Sequence, residues 1–180
     1  MIALQTAIPE VLIVEPRVFG DERGFFFESY NRTEMARLGI TDVFVQDNHS
    51  RSVKNVVRGL HYQIQKPQGK LVRVTAGVVF DVVVDLRRAS PTLGKWVGVE
   101  ISADNKRMMW IPPGFAHGFA VLSEFAEFQY KTTDFYAPQF ERCIRWDDPV
   151  IGIVWPLEGE PIVSPKDRAG ASFAQAEMFN

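Results

Sequence analysis

The run Val78-Val79-Phe80-Asp81-Val82-Val83-Val84-Asp85-Leu86 admits few folds. β-Branched residues crowd a helix but suit a pleated surface. The two acids fall on alternate positions, so Val79, Asp81, Val83 and Asp85 share one face of a strand. Gln68–Val74 reads as a second strand, and Thr75-Ala76-Gly77 between the two predicts a hairpin turn. Further strands are expected at Gly24–Tyr30, Val56–Gln63, Trp96–Ile101, Met108–Ile111, Gly118–Leu122 and Phe125–Thr132. One short helix, capped by Asn31 or Thr33, should run through Leu38 and stop at Gly39. Many short strands punctuated by Gly, Pro and Asn/Asp turns point to an all-β antiparallel sandwich or jelly roll. Past Pro156 the chain is irregular and Pro-rich, as expected of a tail packed over the barrel.

The length of 180 residues suits one domain, 1–180, with a proper core. A net charge of −2, with no long Lys/Arg run, argues against nucleic acid or a membrane surface as partner. No apolar stretch approaches the roughly 20 residues of a membrane span. Met1–Gln5 has neither a basic segment nor an apolar one, so no signal peptide is expected there. Cys143 is the only cysteine; it can form no intrachain disulfide and suits a reducing cytoplasm.

Small β-barrels often hold a metal through clustered His and Glu. His117 follows the turn Pro112-Pro113-Gly114 and would precede a strand, which is half of such a pattern. The other half is missing. Two residues past His61 stands Gln63, a poor ligand, and neither histidine has an acidic companion nearby in sequence. His49 falls in a polar stretch, Gln46-Asp47-Asn48-His49-Ser50, read as loop. No metal and no other cofactor is expected. A lone histidine is commonly a satisfied core residue, but the neighbours of His61 are Arg58, Tyr62 and Gln63, and polar groups in a sheet are costly to bury without a purpose.

Several segments occur in fixed order: Arg58-Gly59-Leu60-His61-Tyr62-Gln63, Gln68-Gly69-Lys70-Leu71-Val72-Arg73-Val74, Gly77–Val82, Trp110–Phe119, Tyr130-Lys131-Thr132-Thr133-Asp134-Phe135-Tyr136-Ala137-Pro138 and Ser164-Pro165-Lys166-Asp167. Together, from about Phe19 to Asp167, they closely resemble the dTDP-4-dehydrorhamnose 3,5-epimerase family. The resemblance implies a cupin-like jelly roll and a cofactor-independent isomerase. It also implies a dTDP-4-keto-6-deoxyhexose substrate inverted at C3 and C5, as a step in making rhamnose for O-antigen or cell-wall polysaccharide.

The chemistry suits the residue types. A ketone at C4 acidifies the protons on C3 and C5. Epimerisation needs a base, a cation for the enolate oxygen, and an acid on the other face. By resemblance His61 is the base and Asp167 its partner, Lys70 holds the enolate, and Tyr130 returns the proton. Arg23, Glu28, Gln46, Asp47, Asn48, Arg58, His117, Glu141 and Lys166 match substrate-binding positions, and Tyr136 matches a position that stacks on thymine. Taken singly, Lys70 reads more readily as a surface lysine and Asp167 as a solvated charge, Tyr130 reads at least as readily as a core aromatic, and His117 can be read as a turn cap.

The resemblance also implies a homodimer, in which strands near the N-terminus join the partner's sheet and bring Arg23 and Glu28 to its pocket. Phe25-Phe26-Phe27 is more apolar than a free segment should be. Strict alternation from Val56 puts Arg58 and His61 on opposite faces, so sharing one pocket would require a bulge at Gly59. Cys143 stands where the family is expected to have glycine. Other readings remain: a one-centre epimerase or ketoisomerase acting on another deoxysugar, a metal-dependent barrel enzyme, or a non-catalytic sugar-binding barrel.

Overall fold

A computed structural model describes residues 1–180. Fourteen strands and two short helices follow in order. They are β1 (Ile2–Gln5), β2 (Leu12–Glu15), β3 (Phe19–Asp21), β4 (Gly24–Phe26), α1 (Arg32–Arg37), β5 (Gln46–Val53), β6 (Val56–Gln63), β7 (Lys70–Ala76) and β8 (Val78–Asp85). There follow β9 (Trp96–Ser102), β10 (Met108–Ile111), β11 (Phe115–Val121), β12 (Phe125–Thr132), β13 (Glu141–Cys143), β14 (Ile162–Val163) and α2 (Pro165–Arg168). One sheet has the order β1-β2-β10-β7-β12-β5 and the other β13-β6-β11-β8-β9, with β14 beside β6. The two sheets stack as a jelly-roll sandwich of the expected all-β, cupin-like class.

The alternation read in Val78–Leu86 decides how β8 sits. Val79 and Val83 enter the core between the sheets with Val72, Ile101, Phe119 and Phe128. Val82 and Val84 turn to the outer face, into a second cluster with Leu60 and Tyr62. The chain past Pro156 covers that face: Phe173 and Phe179 pack on it, and the Tyr62 hydroxyl donates to the Glu177 carbonyl at 2.7 Å. Helix α1 covers the first sheet's outer face through Met35. Its N-cap is Asn31, whose side-chain oxygen accepts from the Thr33 and Glu34 amides, and Gly39 follows the Leu38 C-cap, as expected. No helix is long and apolar enough to cross a membrane.

Four expectations are corrected. Strands β7 and β8 do not form a hairpin: β7 pairs with β10 and β12, and β8 with β9 and β11. Gly77, at φ +77°, turns the chain from one sheet into the other, and a Cβ there would lie 2.0 Å from the Phe125 carbonyl oxygen. Gln46–Ser50 is not loop but most of β5, paired in register with β12. Its polarity misleads because this edge strand faces a cleft on one side and solvent on the other. Strand β11 starts at Phe115, so His117 lies inside a strand rather than before one. Gly24–Tyr30 is extended only to Phe26, and β4 pairs with β3 alone. That ribbon leaves Phe19 51%, Phe25 63% and Phe26 67% exposed, so these rings are not buried in their own barrel.

Candidate active site

A cleft of about 330 Å³ opens between the two sheets. Arg58 and His61 on β6 and His117 on β11 form one wall; Lys70 on β7, Asn48 on β5 and Tyr130 on β12 form the other. Tyr136 and Glu141 stand on the segment that leaves β12 and returns as β13.

Arg58 and His61 share a wall because β6 is bulged. His117 pairs with His61 and Phe119 with Arg58, so Gly59 and Leu60 together oppose the single residue Gly118. The extra residue resets the alternation. Gly59 has φ +126°, and a Cβ there would lie 2.6 Å from Gly118 Cα and 2.9 Å from the His117 oxygen. Only glycine fits.

The bulge also orients the histidine's partner. Asp167, on α2, is 4% exposed. Its Oδ2 accepts from the Gly59 amide at 3.3 Å, and its Oδ1 lies 2.7 Å from His61 Nε2. Burial alone would raise the carboxyl's pKa, but the bonds from His61, Gly59 and Ser164 outweigh it and hold it below the usual value. An ionised carboxylate only accepts, so Nε2 carries the proton and Nδ1 is left as the basic nitrogen.

His117 has a partner that its sequence neighbours do not reveal. Its Nε2 lies 3.0 Å from Oδ2 of Asp81, which is wholly buried. Burial lowers the His117 pKa despite Asp81, with Lys70 and His61 adding to the effect, so the ring is neutral at pH 7. His117 therefore does not cap the preceding turn. Both histidines do have carboxylate companions, from remote segments. The alternation that places Asp81 on the inner face of β8 was the available signal.

Lys70 is not a surface lysine; it is 9% exposed. Burial lowers its pKa to about 8, against the pull of Asp81 and Glu141. Its one protein hydrogen bond, to the His61 carbonyl, is long at 3.5 Å and leaves donors for a ligand. Tyr130 packs on the central core, tilted against Phe128. Burial, then Glu141, raises its pKa, so the hydroxyl stays protonated at neutral pH.

Gln63, two residues past His61, is a brace: its Oε1 accepts from the Ala137 amide at 2.7 Å and its Nε2 donates to the Phe135 carbonyl at 3.3 Å. Gln46 accepts from the Tyr136 amide at 3.1 Å. These bonds hold Tyr136 at the rim, where its hydroxyl donates to Glu141 at 2.8 Å and Lys166 donates to the same oxygen at 2.5 Å. Three expected residues stand apart. Asp47 points away from the cleft and pairs with Lys131. Arg23 pairs with Asp21 in the exposed ribbon, and Glu28 accepts from Asn31. His49, Ser50, Gln68 and Phe119 line the cleft without having been anticipated.

The geometry can be set beside known proteins. The family model described as dTDP-4-dehydrorhamnose 3,5-epimerase matches residues 5–175. The chain belongs to that family. The epimerase of Pseudomonas aeruginosa is 64% identical over 99% of both chains, and that of Salmonella typhimurium 60% identical over 98% of this chain and 97% of its own. A crystal structure of dTDP-6-deoxy-D-glucose-3,5-epimerase from Legionella pneumophila, in complex with dTDP-4-keto-L-rhamnose, matches with a TM-score of 0.95 at 55% identity. It covers 97% of this chain and 94% of its own. The protein is an isomerase, a carbohydrate epimerase of the dTDP-rhamnose pathway.

Proposed function

We propose that His61 and Tyr130 work from opposite walls of the cleft on a dTDP-4-keto-6-deoxyhexose, with Lys70 between them. One observation carries this reading: the ionised Asp167 orients His61 on one sheet, while a protonated tyrosine and a buried ammonium face it from the other. Inversion requires that a proton leave one face of a carbon and return to the opposite face. A cleft with a base on one wall and an acid on the other does that without moving the sugar.

His61 Nδ1 takes the proton from C3 or C5, and the electron pair flows into the C4 carbonyl. Lys70 N–H groups meet the enolate oxygen. A buried ammonium stabilises such charge far better than one in water. Tyr130 then donates its hydroxyl proton to the other face and is reprotonated from solvent, to which His61 releases the proton it took. Asp167 holds the imidazole and stabilises the imidazolium once formed. Arg58 and Lys166 offer charge-assisted bonds to a diphosphate, Tyr136 gives a flat face to thymine, and Gln46, Asn48, His117 and Glu141 position the sugar and base. Asp47 contributes only through Lys131. No resident metal enters the scheme.

Arg23 and Glu28 act in the cleft of a partner subunit of a homodimer. The exposed phenylalanines of the β3–β4 ribbon, which pairs with no other strand of its own chain, support this. The single free thiol favours a cytoplasmic enzyme.

Incubation with dTDP-4-dehydro-6-deoxyglucose in deuterated water, followed by NMR, tests the reading. Deuterium should enter at C3 and C5. His61→Asn should abolish exchange, and Tyr130→Phe should slow net inversion more than exchange. Equal loss of both in Tyr130→Phe would remove it as the returning acid.

A further inference from the structure

Cys143 is the cross-strand partner of His61, through the pairing of β13 with β6. Residues directly opposite on adjacent strands project to the same side of a sheet. The Cys143 sulfur accordingly lies 4.0 Å from Asp167 Oδ1, the atom that is 2.7 Å from His61 Nε2. Ligand atoms of all three residues lie within 4.8 Å of one another, and no other such group of His, Cys, Asp or Glu occurs in the chain.

We propose that His61, Cys143 and Asp167 bind a thiophilic divalent cation, with Zn²⁺ the best match, and that its binding switches the epimerase off. Zinc takes Cys at about 2.3 Å, His at about 2.0–2.1 Å and carboxylate at about 2.0–2.2 Å, so tetrahedral ligands stand roughly 3.3–3.6 Å apart. The sulfur–oxygen edge is slightly wide, the nitrogen–oxygen edge is narrow and the sulfur–nitrogen edge lies within 4.8 Å, so side-chain shifts of about 1 Å would seat the ion. A thiolate and a carboxylate balance the double charge, which suits a half-buried place. The fourth position is left to water or ligand.

The exchange of protons explains the inhibition. A bound cation replaces the sulfur proton, which leaves to solvent. Coordination at His61 Nε2 moves the ring proton to Nδ1. That is the nitrogen the reaction needs bare, so the inhibitory half of the proposal rests on His61 being the base.

Cobalt tests the site without reference to catalysis. Titrating Co²⁺ into the purified protein should produce a thiolate-to-cobalt charge-transfer band, which Zn²⁺ displaces and which Cys143→Ser and Cys143→Ala lack. Both variants should keep basal activity. Removing even an outer-shell partner typically costs about 10–100-fold in metal affinity, so half inhibition of either variant should need at least about tenfold more Zn²⁺ than the parent. Chelator should restore the parent's activity. No charge-transfer band in the folded parent would overturn the site, as would equal zinc sensitivity in all three proteins. A band with undiminished activity would overturn the switch, while the deuterium exchange of His61→Asn tests His61 as base separately.

Discussion

A carboxylate and an ammonium buried in one sandwich both cost free energy to keep charged, and each answers that cost differently. Asp167 is met by His61 and the Gly59 amide and stays ionised. Asp167→Asn keeps the shape but removes the charge that stabilises the imidazolium. Steady-state kinetics should show kcat falling about 10²–10⁴-fold with KM little changed; near-parental kcat would make the carboxylate dispensable. Lys70 has no such ring of partners, and its pKa drops from 10.5 to about 8. The unfolded chain therefore holds the Lys70 proton up to about pH 10.5 while the folded one releases it near 8. The burial penalty is full below pH 8 and is relieved as pH rises from there to 10.5. Lys70→Met should be inactive yet more stable at pH 7, by of order 3 kcal/mol in urea unfolding, with the advantage shrinking towards pH 10. In the parent, kcat/KM should fall above about pH 8 as the ammonium is lost, with Tyr130 still protonated. A flat profile to pH 10 would remove the ammonium from the chemistry. At this scale the sequence spoke through its order of motifs rather than its residues. Lys70, Tyr130 and Asp167 each have an ordinary alternative taken singly, and the pairing of Asp81 with His117 could not be read because the two are 36 residues apart.

Strand periodicity was legible in β6, β8, β10 and β12, whereas β1, β2 and β13 went unread, even though Val14 of β2 is a core residue. It failed at β5, where both faces meet polar surroundings, and at Gly77, where a turn residue marks a change of sheet rather than a hairpin. The sequence demanded a bulge at Gly59 if Arg58 and His61 were to share a pocket, and β6 has it. That element predicts a larger cost at Gly59 than at its neighbour Gly118. Gly59→Ala meets both a positive φ and a 2.6 Å approach to Gly118 Cα. Gly118→Ala meets only crowding, from the Arg58 carbonyl oxygen at 2.6 Å. Gly59→Ala should cost about 2–4 kcal/mol in chemical denaturation, and Gly118→Ala about 1–3 kcal/mol. The folded fraction of Gly59→Ala should also lose activity, because the alanine must shift the Asp167 contact that orients His61. A fully active, stable Gly59→Ala would mean the bulge is not what sets the wall.

For the molecule as a whole, the question is which cleft the β3–β4 ribbon serves. Within one chain, Arg23 and Glu28 lie outside the cleft, and the ribbon's phenylalanines face solvent. A two-fold pair in which each ribbon crosses to the other subunit would cover those rings and add the partner's Arg23 to every cleft. Light scattering should then report twice the 20.4 kDa chain mass. Mixing separates a crossing ribbon from a merely adhesive one. Arg23→Ala weakens the cleft of the partner, whereas His61→Asn kills the cleft of its own chain. Neither homodimer has a sound site. In a mixed dimer, the chain that keeps His61 receives Arg23 from the other chain, so one of its two sites is whole. With random exchange, half the dimers are mixed, and activity should recover to about a quarter of the parental value per chain. If the ribbon folds back onto its own cleft, mixing restores nothing, because no site then joins an intact His61 to an intact Arg23.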